Sequence, residues 1–371
     1  MGNFPTHGGN VYEVASRLGC QPEDILDYSA SINPLGPPAG LKDEFQRHFD
    51  RLQHYPDIHN RALVEDLAAF HRLGVDQVVA GNGSTELIYW LPRVLGLKSA
   101  LMVLPTFSEY QRAFEIQGVK LTKLFTRVEN HFQPTVDELT RMLEADNPEA
   151  ILVTHPGSPA GTLLPLDVRE WLLRVGVAGD RYCIVDEAFI DFCEADSFKE
   201  HLAETARLIL IRSMTKFYGI PGVRVGYLLT SPGIANGVSR LLPPWSVSTL
   251  AQIAGSFCLR QEDYRESTLE LVDRERTIIE EGLGMLPGFE VFPGSANYVL
   301  ASLDASLPTA GELQDYLLRQ DRILIRDCAS FEGLGNRYVR LAVRLPHQNR
   351  LLLTALERWC RVHGRPPADR S

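Results

Sequence analysis

The chain is 371 residues long, which at roughly 100–200 residues per domain allows two domains and a core large enough to fold without disulfides or structural metal. Its 44% hydrophobic and 23% charged residues make a globular composition and argue against disorder, collagen-like repeats or a coiled coil. With 37 Lys+Arg against 47 Asp+Glu, a net charge of −10 and no long basic run, it is a poor candidate for nucleic acid or an anionic membrane.

The opening MGNFPTHGGN lacks the basic and apolar regions of a secretion signal, and no apolar stretch approaches the 18 or so residues of a membrane span. Gly8-Gly9 and Asn33-Pro34 mark turns in an N-terminal arm, residues 1–45. Leu63, Leu67 and Phe70 fall at i, i+4 and i+7 of a helix, within a large domain expected over 46–266. There, short apolar runs alternate with amphipathic stretches, the pattern of βαβ units in a mainly parallel sheet. The expected strands are Gln77–Ala80, Ala100–Leu104, Ala150–Thr154, Tyr182–Val185 and Leu208–Ile211, with a capping box at Thr135-x-x-Glu138 opening one of the helices between them. They run into GNGSTE, PTFSEY, HPGSPAG, DEAF and RSMTK. Ligands collect beyond the carboxyl ends of such strands, so these five segments are expected to face one crevice.

A long helix, about Tyr264 to Leu283, follows the PPWSVS turn and carries the chain into a smaller α+β domain, residues 267–371. Its strands are expected near Tyr298–Leu300, Ile323–Arg326 and Val339–Val343, with the arm packed beside it. Six scattered cysteines show no C-x-x-C pair, which favours free thiols and a cytoplasmic protein. The ten His include no H-E-x-x-H, and no metal site is expected.

The chemistry concentrates in Ser213-Met214-Thr215-Lys216 and the following Gly219–Tyr227 segment, which holds Arg224. An amine, two hydroxyls and a guanidinium in one loop suit pyridoxal phosphate: Lys216 bonds its aldehyde while Ser213 and Arg224 hold its phosphate. Taken alone, S-x-x-K fits a solvated surface lysine equally well. Asp186, ending another strand, could keep the pyridine nitrogen protonated, or merely cap a turn. Ser84 and Thr85 open a helix whose free N–H groups attract a phosphate, and Phe107 offers either an aromatic plate or a core side chain.

In this order, GNGSTE, PTF, HPGSPAG, DEAFIDF, SMTK and GVRVGY resemble the fold-type I pyridoxal phosphate enzymes of the class I/II aminotransferase superfamily. The resemblance implies a large domain with a mainly parallel seven-stranded sheet, a smaller α+β domain, and a homodimer in which Tyr55 reaches the partner's cofactor phosphate. His7-Gly8-Gly9-Asn10, Ser31–Gly36 and Ile325–Cys328 are similar to the threonine-phosphate decarboxylase branch, which makes an aminopropanol phosphate for cobalamin biosynthesis. The competing branch is that of the histidinol-phosphate aminotransferases, which would imply amino transfer on a phosphorylated or acidic amine, and a non-catalytic binding protein on the same fold is the third reading. The resemblance further implies a small phosphorylated amino-acid substrate, with His7 and Asn33 near its phosphate and Arg326 and Arg340 on its anionic ends. Two departures stand out. Ser158 occupies the place of an Asn that donates to the cofactor's phenolic oxygen, and Phe189 that of a frequent Tyr, so this oxygen is expected to lack its usual donors.

Overall fold

Parallel strands cannot be joined by tight turns, so a chain alternating apolar runs with amphipathic stretches folds each stretch back over the sheet as a helix. The computed structural model describes residues 7–179 and 181–363. Its main sheet holds β1 (Val78–Gly81), β2 (Ser99–Leu104), β3 (Lys120–Phe125), β4 (Ala150–Thr154), β5 (Tyr182–Asp186), β6 (Leu208–Ser213) and β7 (Gly226–Thr230), in the order β1-β7-β6-β5-β4-β2-β3. Strands β2 to β6 pair in parallel, and β7 runs antiparallel to both β6 and β1. Hence β1 points the same way as β6, and the carboxyl ends of β1, β2, β4, β5 and β6 share one edge.

Alternation along each strand feeds two helical layers. Ile151, Val153, Leu208 and Leu210 pack with Leu63 and Leu67 of the Arg61–His71 helix and with Leu139, Val168 and Ala254 of three other helices. Ala150, Leu152, Ile209 and Ile211 pack on the opposite face with Leu87 and Leu91 of the Gly83–Val94 helix and Phe114 of Ser108–Ile116. Each Leu or Ile fully buried this way stabilises the fold by about 1.5–3 kcal/mol. The Thr135 side chain caps its helix by accepting from the Glu138 N–H.

The 23-residue helix Glu262–Gly284 leads into the second unit. There β8 (Phe289–Phe292), β9 (Tyr298–Leu303), β10 (Arg326–Asp327) and β11 (Tyr338–Ala342) form an antiparallel sheet in the order β10-β11-β9-β8. The run expected as one strand at Ile323–Arg326 divides. Ile323–Leu324 pairs in parallel with Leu26–Asp27 of the arm, after which the chain changes sheets and sets Arg326 directly opposite Arg340. The arm packs here through Val14, Ala15 and Tyr28, whereas Leu41 and Phe45 already join the large core, so the chain crosses between units before residue 46. All six cysteines are free thiols. Among the described residues no helix is long and apolar enough to cross a membrane.

Beneath the shared edge, Arg212 of β6 has no exposed surface. Its Nε lies 2.8 Å from Glu187, two of its nitrogens reach Glu194 at 2.8 and 3.1 Å, and Nη2 donates to Ser197 Oγ at 2.8 Å. Lys199 and Arg265 balance the remaining charge through Glu194 and Asp191. Burial pushes the Glu194 carboxyl up, but Arg212 and Lys199 overcome it and hold the group down to about 2. Removing one partner of such a cluster leaves buried carboxylates unpaired. Arg212→Met should therefore cost about 3–5 kcal/mol in denaturant unfolding. A loss below about 1 kcal/mol would place these carboxylates in contact with water and contradict a closed network.

Candidate active site

Five loops leaving the carboxyl edge build one wall of a cavity of about 400 Å³. Ser84 and Thr85 follow β1, Phe107 follows β2, Ser158 follows β4, Ala188 and Phe189 follow Asp186 at the end of β5, and Ser213 and Lys216 come from the end of β6. Arg224 precedes β7. Arg326 and Arg340 face in from the small sheet, and His7, Gly8 and Ser29–Ser31 from the arm.

Space for an anion is made by what is missing. Gly83 has φ +75°, and a Cβ there would stand 2.5 Å from Arg224 Nη2. At Gly226 a Cβ would lie 2.3 Å from the backbone nitrogen of Ser84. The two glycines therefore keep the first turn of the twelve-residue Gly83–Val94 helix open beside a guanidinium. Its unpaired N–H groups and the positive end of its dipole favour a phosphate. Arg224 itself holds φ +62°, an uncommon conformation for a side-chain-bearing residue, and one that functional sites retain. Ser213 Oγ lines the same space and is hydrogen-bonded to Thr215 Oγ1 at 2.8 Å. Thr215, expected at the cofactor, is buried and touches the cavity only through Ser213.

Lys216 Nζ lies 5.9 Å from the centre of the Phe189 ring. Burial and the charges of Arg340 and Arg224 pull its amine down to about 8, with Asp186 opposing. The uncharged, nucleophilic form is thus reached at lower pH than in an ordinary lysine. Asp186 accepts the Ala188 N–H at 2.9 Å, and the Tyr110 hydroxyl is buried beside it without meeting hydrogen-bond geometry. Burial pushes the Asp186 carboxyl up against these neighbours. A cationic partner facing it would restore its charge.

The opposite wall is cationic. Arg340 and Arg326 are cross-strand neighbours, an arrangement of like charges that is unfavourable without an anion between them. Burial, followed by the charge of Arg340, pulls Arg326 down to about 10. Arg340 reaches Ser158 Oγ and the Ser29 carbonyl, each at 3.4 Å, lies over the Tyr298 ring, and leaves its buried Nε without a partner among the described residues.

Two expected residues are elsewhere. Asn33 does not line the cavity: its amide donates to the Phe217 carbonyl at 2.6 Å and to Thr268 Oγ1 at 2.8 Å, and its Oδ1 accepts from Leu35. Those bonds use both amide hydrogens, so Asn33 ties the Lys216 loop to the Glu262–Gly284 helix and has no donor left for a phosphate. Tyr55 is 79% exposed, stacked on Trp245, and lines a separate cavity with His48, Arg51 and Arg260. Sequence reasoning missed Ser29 and Phe331 as wall residues. Ser29 had a signal in the polar run before Asn33-Pro34, and Phe331 had none.

The sequence profile described as aminotransferase class I and II matches residues 23–356. The chain belongs to this family. A threonine-phosphate decarboxylase of Salmonella typhimurium is 36% identical over 367 residues, 98% of either chain. The crystal structure of the L-threonine-O-3-phosphate decarboxylase from Porphyromonas gingivalis superposes with a TM-score of 0.79 at 25% identity, covering 91% of this chain and 100% of that one. That of the histidinol-phosphate aminotransferase from Clostridium acetobutylicum gives 0.83 at 29% identity, covering 90% and 98%. As a class I and II aminotransferase relative, the chain is an enzyme dependent on pyridoxal phosphate.

The residues present fit that cofactor. The glycine-lined cradle with Ser84, Thr85, Ser213 and Arg224 suits its phosphate, Asp186 its ring nitrogen, Lys216 its aldehyde and Phe107 its ring face. Gly83→Ala should displace Arg224 and weaken cofactor retention about ten- to hundredfold, read as loss of visible absorbance on dialysis. The fold should lose only about 1–2 kcal/mol from the strained Ala. In cofactor-free protein, acylation of Lys216 should show a midpoint near pH 8. Arg340→Gln removes a repelling charge and should raise that midpoint, whereas Asp186→Asn removes an attracting one and should lower it. A wild-type midpoint near 10.5, the ordinary lysine value, would contradict the electrostatic account.

Proposed function

We propose that the enzyme decarboxylates O-phospho-L-threonine, or a close phosphorylated amino acid, to an aminopropanol phosphate for cobalamin biosynthesis. The observation that carries this reading is the Arg326–Arg340 pair: two guanidiniums set opposite each other, close to Lys216, ask for a ligand with more than one anionic group. The full-length likeness to a threonine-phosphate decarboxylase favours carbon dioxide release over amino transfer.

When bound, pyridoxal phosphate supplies an electron sink for the pair left on the substrate Cα. Arg340 would take the substrate carboxylate and fix the direction of the Cα–carboxylate bond. Asp186 holds a proton at the pyridine nitrogen. Lys216 Nζ would return a proton to the substrate Cα after carbon dioxide departs. Arg326 and His7 receive the phosphate end. We also read the protein as a cytoplasmic homodimer. Tyr55, Trp245, Phe49, Leu52 and Ile58 supply the exposed apolar surface for a second copy, and Tyr55 would reach into that copy's cofactor cradle.

Incubation with O-phospho-L-threonine should release carbon dioxide without consuming a keto acid. Amino transfer to 2-oxoglutarate with no carbon dioxide would replace this reading with a histidinol-phosphate-type aminotransferase. Arg340→Ala should lose a charge-assisted interaction of about 1.5–3 kcal/mol, a ten- to hundredfold fall in kcat/KM, with cofactor still bound. Unchanged kinetics would make Arg340 structural and remove the carboxylate assignment.

A further inference from the structure

The His7 ring at the cavity rim is held from behind. Its Nε2 lies 3.0 Å from Glu109 Oε1, Glu109 Oε2 accepts the Tyr89 hydroxyl at 2.5 Å, and the Phe107 ring centre is 5.6 Å from that of His7. Glu109 opens the Ser108–Ile116 helix and Tyr89 belongs to Gly83–Val94, the helix that carries the phosphate cradle. Neither residue lines the cavity, and the reaction described above gives them no task. The Glu109 side chain is only 14% exposed, which limits where its carboxylate can turn.

An ionised carboxylate only accepts hydrogen bonds, so the imidazole nitrogen facing it carries hydrogen. That leaves Nδ1, which has no hydrogen-bond partner among the described residues. In a neutral ring held this way Nδ1 is a bare acceptor and repels a phosphoryl oxygen. With hydrogen on both ring nitrogens Nδ1 is a donor and can receive one. The carboxylate therefore sets the orientation of the ring and leaves Nδ1 to meet a ligand. Arg224, Lys216, Arg326 and Arg340 line the same cavity, so the local field favours an anionic ligand despite Glu109.

We propose that Glu109, steadied by Tyr89, is a positioning residue that holds His7 with Nδ1–H turned toward the phosphate-monoester end of the substrate. The proposal rests on the phosphorylated-substrate reading above. It makes selectivity for that end depend on a residue that never touches the substrate.

The test uses the cofactor-loaded enzyme, with the His7 ring nitrogens followed by nitrogen-15 NMR and assigned through His7→Gln. Inorganic phosphate should move the His7 Nδ1 resonance in the wild type, and Glu109→Gln should need about tenfold more phosphate for the same movement. Tyr89→Phe, which releases one Glu109 oxygen and keeps the carboxylate, should give a smaller loss of the same kind. In kinetics, Glu109→Gln should raise KM for O-phospho-L-threonine about tenfold while kcat changes less than twofold. Equal phosphate responses in wild type and Glu109→Gln, or no His7 response in the wild type, would overturn the proposal. If O-phospho-L-threonine is not turned over at all, the functional reading fails, and the phosphate response still decides the role of Glu109.

Discussion

The site depends on a guanidinium that never meets the substrate. Arg212 immediately precedes Ser213, and Glu187 immediately follows Asp186, so the Arg212–Glu187 ion pair locks together the ends of the two strands that supply the lysine loop and the carboxylate. Because neighbouring strand residues point to opposite faces, a charge cluster below the sheet edge fixes functional groups above it. Arg265 extends the lock. It lies over the Phe217 ring, donates to the Tyr218 hydroxyl at 2.9 Å, and sits on the helix that leads to the small unit. The Lys216 loop is thus held both by its own strand and by the start of the helix that leads to the small unit, an arrangement suited to a group whose reacting atoms must be held within a fraction of an ångström.

The net charge of −10 hides this cavity's sign. Among the described residues, Lys216, Arg224, Arg326 and Arg340 line it against the single carboxylate of Asp186, while Glu187 and Glu194 lie under the sheet. Such concentration costs stability, since burial and Arg340 pull Arg326 down and burial and both flanking arginines pull Lys216 down. An anionic ligand between these groups would offset the cost, which is the electrostatic signature expected of a functional site.

Much of this was legible in the sequence. Continuous apolar runs ending in polar, glycine-containing loops specify buried parallel strands, and all five loops do line one cavity. Strand β3 escaped because KLTKLF lies at the sheet edge, pairs only with β2, and carries Lys120 and Lys123 where a central strand would carry apolar residues. Strand β7 was hidden inside the segment prized for Arg224. The turn of the chain at Ile325 has no local signature, because Ile323–Arg326 reads as one strand and only its two partners, Leu26–Asp27 and β11, divide it. Asn33 misled for a related reason. A polar residue before Pro looks available in sequence, and only tertiary contact with Phe217 and Thr268 reveals that its bonds are already made.

The two departures from the family pattern become one packing arrangement in the structure. Arg340 Nη1 lies 3.4 Å from Ser158 Oγ, and its guanidinium is stacked over Tyr298, whose hydroxyl donates to the Gly157 carbonyl at 2.8 Å. The Phe189 ring meets Tyr298 edge-on, with centres 4.9 Å apart. A longer Asn side chain at 158 would crowd the space that Arg340 uses, and a hydroxyl at 189 would project from a ring already engaged by Tyr298. Ser158 accepts from Arg340 and therefore keeps its own hydroxyl hydrogen for a partner in the cavity. A cation on its acceptor side polarises that hydroxyl and makes it a stronger donor. The short side chain thus acquires from Arg340 part of what it lacks in reach, and the guanidinium of the small sheet conditions the one hydroxyl that the HPGSPAG loop presents to the cavity.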